Sequence, residues 1–232
     1  MGRRLLLIGH DYLAAGGIEE RFVRRGYDVE RVQVVPPDRF EDPGVDADLP
    51  DPRDYDAVLV LGARWSVYGD EVSSWVKPEL ELLRTADEAG VPVFGICFGG
   101  QLLAQAHGGQ VVASPAPEIG PNVVAGVPSV AGVWTQWHYD KFVPPADATI
   151  VGVSAAAPQA FVLRRNLAVQ FHPEVDEESV RGWVEDGGAQ MARDRGLDPE
   201  VLLDHVASLD ADVRVRAGAL VDYFLDQVAA GR

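Results

Sequence analysis

Two short stretches of the chain carry residue types that can do chemistry together. The first is Gly95-Ile96-Cys97-Phe98-Gly99, which contains the single cysteine of the sequence. An apolar run leads into it and a helical pattern follows, the layout of a nucleophile elbow with cysteine in the reacting position. Such a turn is sharp and strained, so the residues two places on either side must be small to clear the neighbouring backbone. The turn also sets the sulfur at a helix N-terminus, where the dipole and free N–H groups favour a thiolate. The second stretch is Gln170-Phe171-His172-Pro173-Glu174, at the end of another apolar run. In extended chain, residues two apart share a face, so Glu174 can fix the tautomer of His172 and stabilise its imidazolium. A cysteine nucleophile, a histidine base and an orienting acid make a triad for acyl transfer. Alone, Cys97 also fits a small buried residue beside a glycine-rich turn, and His172 a satisfied histidine at a strand end. Both at strand ends together favour the triad, because parallel sheets gather their active sites there.

The elements that must position these residues follow from the apolar pattern. Residues 4–9, 56–62 and 91–96 are short continuous apolar runs, as expected of parallel strands buried on both faces. Helices are expected at residues 17–25 and 70–89, a further strand at 27–35, and a loop over the proline-rich residues 36–52. This alternation predicts an α/β, three-layer domain with a central, mostly parallel sheet. Residues 110–113, 130–134, 148–153, 160–163 and 167–171 read as shorter strands, forming the later sheet edge and an antiparallel layer. Helical spacing returns at residues 177–192, 199–209 and 211–229. The expectation is a single domain over residues 1–232, with residues 175–232 a helical C-terminal extension that covers the sheet edge or forms an interface.

Composition narrows the class. The 232 residues are 47% hydrophobic and 24% charged, ordinary for a globular protein. Acidic residues outnumber basic ones 36 to 20, a net charge of −16. A surface of that sign repels a phosphate backbone, so nucleic acid is not an expected partner. Residues 1–9 are too short an apolar run for a signal peptide, with Asp11 close behind, and no window is long enough to span a membrane. A lone cysteine makes no internal disulfide. The expected location is the cytoplasm.

Gly95-Ile-Cys-Phe-Gly-Gly-Gln-Leu-Leu-Ala104, followed by Gln170-Phe-His-Pro-Glu174, resembles the class I (triad) glutamine amidotransferases. The likeness is to stand-alone members related to the amidotransferase domain of GMP synthase, and it runs from about residue 56 to residue 175. The resemblance implies a flavodoxin-like amidotransferase fold, with Cys97 as nucleophile, His172 as general base and acid, and Glu174 as the orienting acid. It also aligns Gly62-Ala63-Arg64-Trp65-Ser66-Val67-Tyr68 with the family's Gly-Gly-Pro-x-Ser-Val-Tyr loop. That implies an oxyanion hole made by the backbone N–H groups of Ala63 and Phe98. By the same likeness Gln101, Gly62, Trp137 and His138 bind or border the substrate, and Glu118-Ile119-Gly120 supports the pocket.

The implied activity is release of ammonia from glutamine, or from another γ-glutamyl small molecule, and its delivery to a separate synthetase partner, since a chain of this length has no room for a synthetase domain. No cofactor or metal is implied. His107, His138 and Asp140 lack ligand spacing, and Trp134, Trp137 and Trp183 read as core or helix-packing residues. The sequence departs from the family pattern at Ala63 and Arg64, in place of Gly-Pro, and at Gly100, where a larger residue is usual. A loop needing positive φ at position 63 is strained by alanine, and Arg64 with Trp65 either shapes the pocket for a different γ-glutamyl compound or covers the surface. The alternatives are a γ-glutamyl hydrolase or peptidase with the same triad, and a non-enzymatic, amidotransferase-like binding or redox-responsive protein. Phe98 and the intact His-Pro-Glu speak against the second.

Overall fold

A computed structural model describes residues 2–231. Its nine strands form one sheet in the order β2-β1-β3-β4-β9-β8-β7-β5-β6. The first five in that order, β2 (Tyr27–Gln33), β1 (Arg3–Gly9), β3 (Ala57–Val60), β4 (Val93–Ile96) and β9 (Asn166–Val169), run parallel. The rest, β8 (Pro158–Leu163), β7 (Thr149–Val153), β5 (Gln110–Gly126) and β6 (Gly132–Val143), are antiparallel. β3, β4 and β9 are buried at every position, as strands covered on both faces must be. Alternation along β1 divides the core. Leu5 and Leu7 pack toward helix α1 (Gly16–Arg24), whereas Leu6 and Ile8 pack toward α2 (Ser73–Glu88) and α3 (Phe98–Ala106).

The C-terminal region is helical, and much of it belongs to the core. α6 (Pro199–Tyr223) starts with Pro199 behind an Asp198 cap that accepts from the Glu200 N–H at 2.9 Å. It is one helix where the sequence pattern predicts two, broken near residue 210. The reason is that its apolar stripe serves two cores. Leu202, Leu203 and Val206 pack with α4 (Glu177–Trp183) in a small peripheral cluster, while Val213, Ala217, Leu220 and Val221 join the layer that covers the main sheet. The change of face reads as a break. Conversely, the helix expected over 177–192 is two helices. α4 and α5 (Ala189–Asp194) meet at a kink where Asp186 (φ −85°, ψ 42°) and Gly187 (φ 93°) leave helical geometry.

β5 and β6 are much longer than the sequence pattern predicts. Pro115 and Pro117 fall in the interruption of the β5–β6 register between Ala113 and Glu118, so the missing N–H groups take nothing from the ladder. Register also brings the two chemical motifs together. Gly95 pairs with Ala168 and Ile96 with Val169, so Cys97 and Gln170 emerge side by side at the carboxyl ends of β4 and β9.

Candidate active site

Cys97 follows β4, caps α3 and holds φ 51°, ψ −106°. A non-glycine residue in such a region carries strain of about 1–3 kcal/mol and persists only when its surroundings over-determine it. They do here. The Cys97 N–H donates to the Val169 carbonyl at 2.8 Å, its own carbonyl accepts from Gln101 at 2.9 Å, and the Gly99 N–H donates to the Leu61 carbonyl at 3.1 Å. A Cβ on Gly95 would lie 2.5 Å from the Gly99 carbonyl oxygen, and one on Gly99 2.3 Å from that of Val60. At Gly100 the distance to the Val169 oxygen would be 2.7 Å. The obstacle is backbone, so the glycine at position 100 has a local cause.

His172 is buried, and its Nδ1 lies 2.7 Å from Glu174 Oε1. Its main-chain N–H donates to the Thr135 carbonyl of β6 at 2.8 Å, which fixes the strand end after β9. The other ring nitrogen, Nε2, has no hydrogen-bond partner among the described residues. Burial works against the charged ring, but the charge of Glu174, the nearby Cys97 and the hydrogen bond to Glu174 outweigh it. The pKa of His172 therefore lies well above its ordinary 6.5. Glu174 Oε1 also accepts from the Tyr12 hydroxyl at 3.0 Å, and that hydroxyl accepts from the Gly62 N–H at 3.1 Å. Burial, and then the charge of Glu174, push the Tyr12 pKa well above 10, so it remains a donor. Gln170 Nε2 points at Cys97 Sγ from 3.6 Å, and Gln170 Oε1 in turn accepts from Gln101 at 3.3 Å.

These groups border a cavity of about 270 Å³. The parallel strand ends and their loops contribute Tyr12, Ala63, Cys97, Phe98, Gln101 and His172; β6 contributes Trp137 and His138; the helical C-terminal region contributes Trp183, Asp186 and Met191. Gly62 and Glu174 stand behind this wall. A Cβ on Gly62 would fall 2.6 Å from the Tyr12 hydroxyl and 3.1 Å from His172 Cε1, so any larger residue would displace Tyr12 from its hydrogen bonds. Ala63 lacks the positive φ considered for it: among the described non-glycine residues, only Cys97 and Arg164 have one. Asp140 accepts from Ser66 at 2.5 Å and Tyr68 at 2.7 Å, tying the loop after β3 to β6. His138 Nδ1 lies 2.9 Å from the Asp140 carbonyl and so carries a proton. His107 sits apart, against Arg164 at 3.1 Å. Among the described residues no group of three or more His, Cys, Asp or Glu is placed to hold a metal. No helix there is long and apolar enough to cross a membrane.

The family model for class-I glutamine amidotransferases matches residues 14–182, more than half of the chain, including Cys97, His172 and Glu174. The chain belongs to the class-I glutamine amidotransferases. GMP synthase (glutamine-hydrolyzing) of Aeropyrum pernix is 37% identical over 130 residues, covering 51% of this amidotransferase and 24% of that protein. The GMP synthase of Streptomyces coelicolor is 32% identical over 175 residues, covering 68% of this chain and 32% of that one. The amidotransferase thus spans about a quarter to a third of the length of these curated relatives. Among solved structures, a glutamine amidotransferase from Thermotoga maritima superposes with a TM-score of 0.81 at 24% identity, covering 98% of this chain and 100% of that one. One from Methylobacillus flagellatus gives 0.79 at 25%, covering 98% and 96%. The central sheet and the layered α/β architecture are those of this family.

Around the cavity of this amidotransferase, Trp137 borders it as the resemblance implies, while Tyr12 and Trp183 escape the sequence reading. Trp134 is core, stacked on Phe171 at 4.7 Å, but Trp137 and Trp183 line the cavity, and the Trp183 ring meets His172 edge-on at 4.9 Å. Arg64 bridges two carboxylates across the rim, Asp11 at 2.9 Å and Asp186 at 2.7 Å, while lying over the Phe40 ring. Tyr12 had a usable signal: it follows a parallel strand's carboxyl end, as Cys97 does. Trp183 had none, because the kink that turns it inward is a tertiary feature.

Proposed function

We propose that this chain hydrolyses the side-chain amide of glutamine through Cys97, His172 and Glu174 and releases ammonia for a separate acceptor-activating protein. The observation that carries the reading is the geometry of His172: one nitrogen is fixed by Glu174 at 2.7 Å, and the other is unpartnered beside the cavity it shares with Cys97. In the first step Sγ bonds to the amide carbon, and the carbonyl oxygen becomes an oxyanion facing the backbone N–H groups of Ala63 and Phe98. His172 gives its Nε2 proton to the amide nitrogen, the C–N bond breaks, ammonia leaves and a γ-glutamyl thioester remains. Water then loses a proton to His172 and attacks the thioester. The C–S bond breaks, releasing glutamate. In this reading Gln101, Trp137 and His138, which line the same cavity, hold the amino-acid end of the substrate. A cytoplasmic protein acting as one domain, with residues 175–232 completing its core and cavity, is the setting this reading assumes. That relatives of this chain are named as glutamine-hydrolyzing GMP synthases supports a synthetase as the acceptor of the ammonia.

The test is ammonia and glutamate release by the purified chain beside Cys97→Ala. Turnover abolished in the variant supports the reading; equal turnover in both sinks it. A second reading rests on Arg64, whose guanidinium occupies the rim between Asp11 and Asp186. That charged rim suits a γ-glutamyl compound with a larger leaving amine, cleaved by the same steps. Faster hydrolysis of γ-glutamyl peptides than of glutamine would select it.

A further inference from the structure

The chemistry above leaves one buried titratable pair unused. His10, the residue after β1, and Glu79, in α2, are both fully buried. His10 Nδ1 lies 3.0 Å from the Gly62 carbonyl oxygen, and Nε2 lies 3.0 and 3.2 Å from the two carboxylate oxygens of Glu79. A carbonyl oxygen cannot donate, so Nδ1 must bear a hydrogen. The Nε2–Glu79 contact then needs a second proton, and the cluster holds both in its stable form. Burial opposes a charged His10, but the charge and hydrogen bond of Glu79 prevail and raise its pKa above 6.5, with smaller contributions from the Gly62 carbonyl and Asp11. The ring is fixed in its plane by Trp75, stacked at 5.1 Å, and by the edge contact of Phe98 at 4.7 Å.

The group that His10 holds is not an arbitrary carbonyl. The Gly62 C=O and the Ala63 N–H belong to one peptide unit, and the described chain has no cis peptide bond. In a planar trans peptide these two bonds point in opposite directions, so a donor fixed on the oxygen fixes the direction of the N–H. Hydrogen bonds in series polarise one another, so a cationic donor on the oxygen also strengthens that N–H as a donor. The Ala63 N–H itself finds no acceptor among the described residues, and Ala63 lines the cavity with Cys97. Gly62 is gripped from its other side too, its own N–H donating to Tyr12 at 3.1 Å. The plain alternative is a core ion pair that only contributes stability, yet such pairs are often no better than apolar residues of the same size.

We propose that His10, held by Glu79, is a positioning residue of the oxyanion hole, aiming and polarising the Ala63 N–H through the Gly62–Ala63 peptide. This rests on the oxyanion role given to Ala63 above. The test compares His10→Phe and Glu79→Gln with the parent chain, each checked for a cooperative thermal transition. His10→Phe removes both the hydrogen bond and the charge. Glu79→Gln leaves Nδ1–H on the Gly62 oxygen and removes only the charge, and it serves if the first variant does not fold. Losing an oxyanion donor outright lowers kcat by about 10²–10³-fold, so a misaimed one in His10→Phe is expected to lower kcat roughly 10–100-fold, with Glu79→Gln in between and KM for glutamine within about twofold of the parent. In ¹⁵N-labelled protein the Ala63 amide resonance should move in both variants, more in His10→Phe, and the imidazole nitrogens of His10 should both be protonated in the parent at neutral pH. Unchanged kcat in a folded variant, a loss expressed in KM alone, or an Ala63 resonance that stays in place would each overturn the proposal. If the parent chain hydrolyses no glutamine, it is the triad reading that falls, and the Ala63 resonance still decides this one.

Discussion

The protein buries two histidine–glutamate pairs near the carboxyl ends of its parallel strands, and they differ in the second ring nitrogen. In His172–Glu174 the partners are two residues apart on one strand end, and Nε2 is left without a partner beside Cys97. In His10–Glu79 the partners are 69 residues apart, and both ring nitrogens are engaged. The same residue types thus occupy opposite states of satisfaction. A buried polar atom left open beside a cavity is free to meet whatever enters it. A closed pair instead holds neighbouring groups in place. By that criterion the first pair belongs to the reaction and the second to its scaffold.

Perturbations can break or sharpen this contrast. The largest expected effect is on turnover: Cys97→Ala and His172→Ala should each lower kcat for amide hydrolysis by roughly 10⁴-fold or more, read as ammonia release. Next, Glu174→Gln should lower kcat by about 10³–10⁴-fold with KM little changed, since the ring loses its tautomer control. In stability the order reverses. His10→Ala strands a fully buried Glu79 and should destabilise the fold by about 3–5 kcal/mol in urea titrations. His172→Ala should be milder, because Glu174 keeps the Tyr12 hydroxyl at 3.0 Å. Equal destabilisation by the two would erase the distinction.

A pH series offers a smaller effect with a definite sign. Both histidines bind their proton more tightly in the folded chain than at the ordinary value of 6.5. Their contribution to stability is therefore complete below about 6.5 and is lost as pH rises through the raised folded values. The urea midpoint should fall between neutral and alkaline pH, with a shallower fall in Glu79→Gln. A midpoint rising over that interval would contradict both shifts. The smallest effect expected is from Tyr12→Phe, which removes one hydrogen bond to Glu174 and one from Gly62. A loss of about 1–2 kcal/mol in stability is expected, with kcat reduced by an order of magnitude at most.

How legible the molecule is in its sequence depends on how local each cause is. Cys97 between two glycines declares itself because the turn's steric demands fall on adjacent residues, and a Cβ at Gly95 or Gly99 would meet backbone. Glu174 is legible because strand geometry alone puts it on the face of His172. The central parallel strands β3 and β4 are legible because burial on both faces leaves only apolar residues and glycine. Glu79 is not, since nothing near it in sequence marks it as the partner of His10. The full span of β5 was hidden by Pro115 and Pro117, whose place in the ladder's interruption is set by β6. Trp183 read only as a packing residue, and its 5.6 Å ring contact with Trp137 is a packing contact, but both rings also line the cavity, where the resemblance had put Trp137 alone. The arginine at position 64 was visible as a departure, while its two carboxylates, Asp11 and Asp186, come from distant parts of the chain.

α6 carries a consequence for how the molecule breathes. At 1.5 Å per residue its 25 residues make a rod roughly 37 Å long, anchored at one end beside α4 and at the other across the main sheet. Thermal opening of the region that carries Trp183 is thereby geared to the deepest layer of the protein. Amide exchange in the second half of α6 should be as slow as in β1 and β3. A cut within α6 near residue 210 would sever the drive shaft between roof and foundation, and the two would then loosen at separate temperatures.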